Sequence, residues 1–218
     1  MKKEFKTLAI LSLVLVVGGI VAVYFYNSAQ SRSHSTAKSY GVTLREEFVR
    51  DDSPTLGPKD ASVTLVEFLD PECESCRAFF PTVKRILKEY DGKVHFVVRY
   101  MPFHSSSLAA IAATEAAGLQ GKYWAMQELL FDMADEWGHQ PSPRKDLFNK
   151  YAASLGLDVA KFAQDLDDPR WVQKAQRDMT DGKLLGVNGT PTLFVNGDRV
   201  SKLTYQDLKL SINQYLAP

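Results

Sequence analysis

The sequence predicts an α/β domain, and three observations support that class. An apolar, β-rich run at residues 62–70 is followed by a helical pattern and then by a second β-rich run at residues 93–102. The connection between these runs is long enough for a parallel crossover. Helical periodicity dominates residues 105–185, and strand character returns only at residues 191–200. We therefore expect a helical block inserted between two halves of a small sheet.

The strands follow from residue type and spacing. The run "SVTLVEFLD", Ser62–Asp70, is typical of a central strand buried on both faces. The run "KVHFVVRYMP", Lys93–Pro102, predicts a second core strand, and Asn196 with Gly197 predicts a type I′ hairpin between two short strands. A short edge strand is expected around Glu47–Arg50.

Helical spacing of apolar residues predicts the other elements. The segment "CRAFFPTVKRILKEY", residues 76–90, has this spacing, and Pro81 within it is expected to kink the helix. Four or five helices are expected between Ser105 and about Leu185, where Gly and Pro residues separate the apolar repeats. The segment "TYQDLKLSINQYL", residues 204–216, predicts a terminal helix.

A charged and then apolar segment opens the chain. Three early lysines precede the uncharged run at residues 8–26, which at 1.5 Å per residue approaches the thickness of a hydrocarbon core, about 30 Å. We expect a transmembrane anchor there, with residues 1–7 in the cytoplasm and the chain after Tyr26 outside it. A secretory signal is the alternative, although signal cores are usually shorter, about 7 to 15 residues.

A polar, serine-rich stretch follows at residues 27–41 and is expected to be a flexible linker to a globular domain at residues 42–218. The domain would lie in the periplasm or at the outer face of the cytoplasmic membrane, where disulfides persist. The chain has 26 basic and 26 acidic residues, so its net charge of zero gives no electrostatic basis for binding nucleic acid.

The two cysteines of the chain, Cys73 and Cys76, lie three residues apart where the first core strand gives way to a helix. A metal site, a structural disulfide and a redox centre are the alternatives. Structural zinc needs four ligands, and the four histidines lack metal-ligand spacing, so no metal and no cofactor is expected. A bridge over two residues closes too short a loop to stabilise a fold effectively.

The position at a helix start favours a redox role. Unpaired N–H groups and the helix dipole stabilise a negative sulfur on Cys73, which would lower its pKa and make it the attacking thiol. Cys76, one turn further along, would be the shielded resolving thiol. The two would form a redox-active disulfide.

Three further stretches give the pattern a family resemblance. "VEFLDPECESC" resembles the active-site region of thioredoxin-like proteins, and "GTPTLFVNG", Gly189–Gly197, resembles the loop that faces it. The helical block is similar to the insertion of DsbA-type thiol:disulfide oxidoreductases, and "QGKYWAMQELLF" is similar to their membrane-anchored bacterial members. The resemblance covers Phe48 to the C-terminus. It implies a thioredoxin-like fold with a DsbA-type helical insertion at about residues 105–185.

The resemblance also implies roles for individual residues. Pro191 corresponds to the family's cis-proline, whose missing N–H leaves a backbone edge free for a substrate strand. Thr190 precedes it, at a position that contacts the thiols in this family. Glu67 matches an acidic residue beneath the active site, and we expect it to have a raised pKa and to relay protons to or from Cys76.

Charged residues around the cysteines are expected to tune their reactivity. Glu74 and Ser75 fill the gap where strongly oxidising family members have proline and histidine. The Glu74 carboxylate would oppose a thiolate on Cys73, whereas Arg77 would support it. A less oxidising protein is therefore expected. Asp70 and Glu72, which complete the charged set, would cap the helix and complement its dipole.

The function that the resemblance implies is disulfide exchange with cysteine-containing secreted or envelope proteins, most simply as an oxidase that a membrane redox partner reoxidises. Two alternatives stay open. One is a reductase or isomerase kept reduced by a membrane electron donor. The other is a non-catalytic module, for binding or metal handling, that uses the thioredoxin fold without turnover.

Overall fold

Five strands form one mixed sheet in the computed structural model, which describes residues 43–216. In chain order they are β1 (Thr55–Leu56), β2 (Val63–Leu69), β3 (Val94–Tyr100), β4 (Thr192–Val195) and β5 (Asp198–Arg199). Across the sheet the order is β1-β3-β2-β4-β5. The central pair, β2 and β3, is parallel, and the other neighbours are antiparallel.

The helices of the described residues fall into two groups, those outside the insertion and those within it. Outside the insertion these are α1 (Thr43–Phe48), α2 (Glu74–Glu89) and α9 (Tyr205–Leu216). The insertion contributes α3 (Ser107–Gly118), α4 (Tyr123–Asp132), α5 (Ala134–Trp137), α6 (Lys145–Ser154), α7 (Val159–Leu166) and α8 (Arg170–Leu184). The connection from β2 through α2 to β3 is the parallel crossover that the sequence predicts.

Two apolar clusters stabilise the domain. In the first, alternate residues of β2, including Leu65 and Leu69, pack with the buried face of α2, which includes Cys76, Phe79 and Val83. The second cluster lies among the insertion helices and is built from small and large apolar side chains. The insertion thus buries a core of its own, while the first cluster surrounds the cysteine-bearing helix.

A buried ion network joins the insertion to the sheet. Arg99 of β3 is fully buried, and its guanidinium donates to Asp178 at 2.8 and 3.0 Å and to Asp181 at 2.5 Å. Asp181 also accepts from Arg50 at 2.9 Å. The network holds α8 against the face of the sheet opposite α2. Moving α8 away would separate the ion pairs and leave buried charges without partners, which is costly.

Most elements agree with the sequence prediction. Both core strands, the terminal helix and the hairpin are confirmed, and Asn196 and Gly197 have the positive φ angles, 49° and 93°, that a type I′ turn requires. The helix at residues 76–90 is confirmed as α2, which begins two residues earlier and continues through Pro81. The helical block is also confirmed, but it contains six helices, because residues 134–137 form a separate short one.

The edge strand predicted at Glu47–Arg50 is wrong. Residues 43–48 are helical, and the edge strand is instead β1, whose two residues pair with Val97 and Phe96 of β3. A pairing of only two residues has no alternating pattern long enough to be seen in the sequence. The expected anchor at 8–26 and linker at 27–41 lie outside the described residues. Within residues 43–216, none of the helices combines the length and apolar character needed to cross a membrane.

Candidate active site

The two cysteines lie at the junction between β2 and α2. Cys73 is the N-cap residue of α2, with extended backbone angles (φ −76°, ψ 122°), and Cys76 lies in the first helical turn. Both are free thiols, and their exposed fractions are 8% for Cys73 and 1% for Cys76. The structure therefore brings the pair to the helix start, with Cys73 the more accessible of the two.

The surroundings of Cys73 favour its thiolate. A hydrogen bond from Cys76 lowers the pKa of Cys73 to about 5, against the opposing effect of burial, and the Thr190 side chain and the backbone N–H groups of Cys76 and Ser75 add to the lowering. In the neutral thiol, Sγ donates to the Thr190 carbonyl oxygen at 3.5 Å. Ionisation would let the same sulfur accept from the Thr190 hydroxyl.

Cys76 experiences the opposite conditions. Burial raises the pKa of Cys76 far above its ordinary value, and the Cys73 hydrogen bond and the Glu67 charge raise it further. Two thiols in one helical turn are therefore differentiated by their environments. One is prepared to be a thiolate near neutral pH, and the other holds its proton.

The sheet places the proline loop opposite the cysteines. β4 runs antiparallel to β2, with Phe68 opposite Thr192, so the residues just before β4 reach the carboxyl end of β2, where Cys73 follows. The Thr190–Pro191 peptide bond is cis, as the resemblance implies. Thr190 contacts Cys73 directly.

Glu67 lies within β2 on the face that packs against α2. It shares this face with Leu65 and Leu69 and is 2% exposed. Burial raises the pKa of Glu67 to about 8, in agreement with the sequence expectation, and its charge is among those that act on Cys76. A carboxyl group with this pKa keeps its proton at neutral pH and can exchange it with a neighbour.

The candidate tuning residues have partners that the sequence did not reveal. The Glu74 carboxylate accepts from Nε2 of His139 at 2.9 Å, and its own backbone N–H and the charge of His139 lower the pKa of Glu74. Arg77 pairs with Asp135 at 2.7 Å. Glu74 is thus bound to His139 in the loop after α5, and Arg77 is bound to Asp135 within α5. Ser75 acts through its backbone N–H.

The helix-capping role expected for Asp70 and Glu72 is wrong, because each binds a different part of the chain. Asp70 is fully buried, and it accepts from the Phe103 backbone N–H at 2.7 Å, the Ser107 hydroxyl at 2.5 Å and Nδ1 of His104 at 2.7 Å. It also accepts from the backbone N–H of Glu72 at 3.0 Å. Asp70 therefore ties the cysteine loop to the segment leading into α3.

Glu72 makes a second connection of the same kind. Its carboxylate accepts from the Ser106 N–H at 2.7 Å and from the His139 N–H at 2.6 Å. His139 has φ +53°, a conformation that side chains rarely adopt. Two buried carboxylates next to Cys73 thus fasten the insertion to the cysteine loop from two directions.

A cavity of about 320 Å³ opens beside Cys73. Polar side chains from the cysteine loop, α2 and the insertion line it, namely Glu72, Glu74, Arg77, Asp135 and His139. Within residues 43–216, the structure has no cluster of three or more His, Cys, Asp or Glu residues arranged to hold a metal ion.

Comparison with known proteins agrees with this geometry. The family model described as thioredoxin matches residues 50–214. The oxidised BdbD structure from Bacillus subtilis superposes with a TM-score of 0.69 at 26% identity, covering 76% of this chain and 94% of BdbD. A thioredoxin-like oxidoreductase from Silicibacter pomeroyi DSS-3 gives a TM-score of 0.68 at 27% identity, covering 80% and 98%.

A curated relative from Herminiimonas arsenicoxydans, named as the Na(+)/H(+) antiporter NhaA, is 35% identical over 144 residues. The match covers 66% of this chain and 22% of the relative. This chain therefore spans only about a fifth to a quarter of the length of the curated relatives that it matches.

Proposed function

Because this chain belongs to the thioredoxin family and is similar in structure to a thioredoxin-like oxidoreductase, we propose that it is a DsbA-like protein thiol:disulfide oxidoreductase that donates disulfide bonds to cysteine-containing proteins outside the cytoplasm. Cys73 and Cys76 would be the redox-active pair. The observation that carries the proposal is the contrast between the two thiols. Cys73 borders an open cavity and has a pKa near 5, whereas Cys76 is shielded and strongly favours its protonated form.

The exchange would proceed in two steps. A substrate thiolate attacks Sγ of Cys73 in the oxidised protein, the Cys73–Cys76 bond breaks, and Cys76 leaves with the electron pair and takes up a proton. A second substrate thiolate then attacks the substrate sulfur of the mixed disulfide and releases Cys73 as a thiolate. The substrate loses two electrons to form its disulfide, and the protein gains them as a dithiol.

The other site residues would support these steps. Glu67, protonated at neutral pH, would supply the proton to Cys76 from beneath. The Thr190 hydroxyl would stabilise the Cys73 thiolate, and Pro191, which has no N–H, would leave the adjacent backbone open to a substrate strand. Glu74 opposes the thiolate, so we expect a weaker oxidant than relatives with histidine between the cysteines.

The proposed location follows from the first 41 residues. An anchor at 8–26 and a linker at 27–41 would hold the domain at the outer face of the cytoplasmic membrane or in the periplasm. A membrane redox partner would accept the electrons and restore the disulfide.

Transfer of the disulfide to a defined substrate tests the proposal. The purified, oxidised protein is mixed with a reduced peptide that carries two cysteines. Samples are taken over time, their free thiols are alkylated, and the masses of protein and peptide are measured by mass spectrometry. We expect each protein molecule to become a dithiol as one peptide disulfide forms. A folded, fully oxidised protein that leaves the peptide reduced would contradict disulfide donation.

A further inference from the structure

His104 lies far from the cysteines in sequence, between β3 and α3. It nevertheless contacts the loop that connects β2 to Cys73. Nδ1 of His104 donates to Oδ2 of Asp70 at 2.7 Å. The Asp70 side chain is fully buried, and the His104 side chain is 32% exposed. A charge on this imidazole is therefore screened less than one on an open surface.

The charges around Cys73 explain why a cation matters at this position. Asp70, Glu72 and Glu74 all lie within three residues of Cys73, and the first two are buried. Buried carboxylates this close would raise the free energy of a Cys73 thiolate by charge repulsion. The Arg77 guanidinium, expected to offset them, is paired with Asp135.

The groups that face His104 come from every neighbouring segment. Asp70, Glu72, Glu74 and Cys73 contribute from the cysteine loop and the start of α2. His139 contributes from the loop after α5, and its ring stands edge-on to that of His104 with 5.6 Å between the centroids. His139 itself lies 3.8 Å from Glu72 through Nδ1.

We propose that His104 is a positioning residue whose imidazolium offsets the Asp70 and Glu72 carboxylates beside Cys73, so that it stabilises the Cys73 thiolate and increases the oxidising strength of the Cys73–Cys76 pair. The segment between β3 and α3 would thereby supply the positive charge that the Glu74–Ser75 dipeptide lacks. This inference rests on the proposed function, since it assigns a cause to the reactivity of the same thiol.

The direction of the effect with pH follows from the charges. Burial opposes a charge on His104, but the hydrogen bond that His104 donates to Asp70 and the attraction of Asp70, Glu72 and Cys73 outweigh it and raise the pKa of His104 above its ordinary value. The attraction between His104 and Cys73 acts equally on both groups. Below the raised pKa the imidazolium stabilises the thiolate and hence the reduced pair, which makes the disulfide a stronger oxidant. Above that pKa this contribution is lost.

His104→Asn tests the inference, because the Asn side-chain amide can replace the Nδ1 donor to Asp70 without carrying a charge. The pKa of Cys73 is read from its thiolate absorbance in the reduced protein. We expect it to rise by about 0.5 unit, a factor of about 3 in the thiolate equilibrium, since partial exposure reduces the interaction. The equilibrium with glutathione should shift towards the disulfide form by a similar factor at about pH 6 and by much less at about pH 9.

His139→Gln is the matched control, because Gln can keep the donor to Glu74 and the site is 54% exposed. Its effect on the Cys73 pKa should be clearly smaller. A Cys73 pKa and pH dependence unchanged in His104→Asn, or a larger shift in His139→Gln, would overturn the inference. A purely structural role for His104 would lower the melting temperature and leave the Cys73 pKa unchanged.

A second measurement needs no variant and therefore does not depend on the folding of His104→Asn. The pKa of His104 is followed by NMR in the wild-type protein in its disulfide and dithiol forms. It should be higher in the dithiol form, where the Cys73 thiolate is present, and equal values would contradict the inference. Neither measurement uses a substrate, so a failure here would leave disulfide transfer to be decided by its own experiment.

Discussion

Cys73→Ser should abolish disulfide transfer, with the rate falling at least roughly a thousandfold. A serine hydroxyl cannot form the disulfide that the protein donates, nor the mixed disulfide with substrate. The accessible sulfur of the pair is lost, while Cys76 remains 1% exposed behind it. The rate is measured with the reduced peptide under the conditions used for the wild type, and circular dichroism verifies that the variant is folded.

Cys76→Ser is the matched control for this loss. It keeps Cys73, whose thiolate can still attack a substrate disulfide, but it has no second thiol to resolve the product. When this variant is mixed with the peptide in its disulfide form, Cys73 attacks that bond and releases the second peptide thiol, so a long-lived mixed disulfide should accumulate and appear on a non-reducing gel. Transfer by Cys73→Ser, or a mixed disulfide formed through Cys76 instead, would reverse the roles proposed for the two thiols.

Glu67→Gln should slow transfer by about 10- to 100-fold and remove its pH dependence near pH 8. Glu67 is protonated below its pKa of about 8 and can then supply the proton that Cys76 takes up on leaving. The wild-type rate should consequently fall above that pH. Glutamine fills the same volume but cannot transfer a proton, so the rate of the variant should be low and flat across the range.

The same substitution should raise stability. In the unfolded chain Glu67 loses its proton at its ordinary pKa of 4.5, whereas in the folded protein it keeps the proton up to about pH 8. Rising pH between these values therefore favours unfolding, by an amount on the order of 5 kcal/mol for a fully buried group. Denaturation should show a larger free energy of unfolding for Glu67→Gln than for the wild type at pH 8 and above, and this difference should disappear near pH 4. Activity and stability would change in opposite directions.

Glu115→Gln provides the comparison. Glu115, on α3, is another carboxyl group whose pKa burial raises, here to about 7, but it interacts with Tyr100 of β3 and Lys174 of α8 and not with the cysteines. Its substitution should leave the pH profile of transfer intact. A pH profile that persists in Glu67→Gln, or that disappears equally in Glu115→Gln, would exclude Glu67 as the proton donor.

Local patterns were enough to predict much of the fold. Ser62–Asp70 and Lys93–Pro102 are short, mainly apolar runs rich in β-branched and aromatic residues, which favours buried strands. The Asn196–Gly197 pair has the residue types that a type I′ hairpin turn requires. The edge strand could not be predicted in the same way. Its two residues belong to the sheet because Val97 and Phe96 pair with them, and that pairing is a tertiary contact with no local signal.

The active site divides along the same line. The two cysteines, Glu67, Thr190 and Pro191 lie in motifs, so their positions could be inferred before the structure. The partners of Asp70 and Glu72 could not. The Ser106 and His139 backbone N–H groups reach Glu72, and Phe103, His104 and Ser107 reach Asp70, only when the chain folds back on the cysteine loop. Two acidic residues after a buried strand, together with histidines in distant loops, do not predict these contacts until the fold is known.

The redox state of Cys73 and Cys76 in the living cell tests disulfide donation most directly. Cells that produce the protein are quenched with acid, free thiols are alkylated with a reagent that adds mass, and the two forms are separated by gel. A disulfide donor that a membrane partner keeps oxidised should be found mainly as the Cys73–Cys76 disulfide. A population that is mainly dithiol would contradict donation and indicate a reductase or isomerase instead.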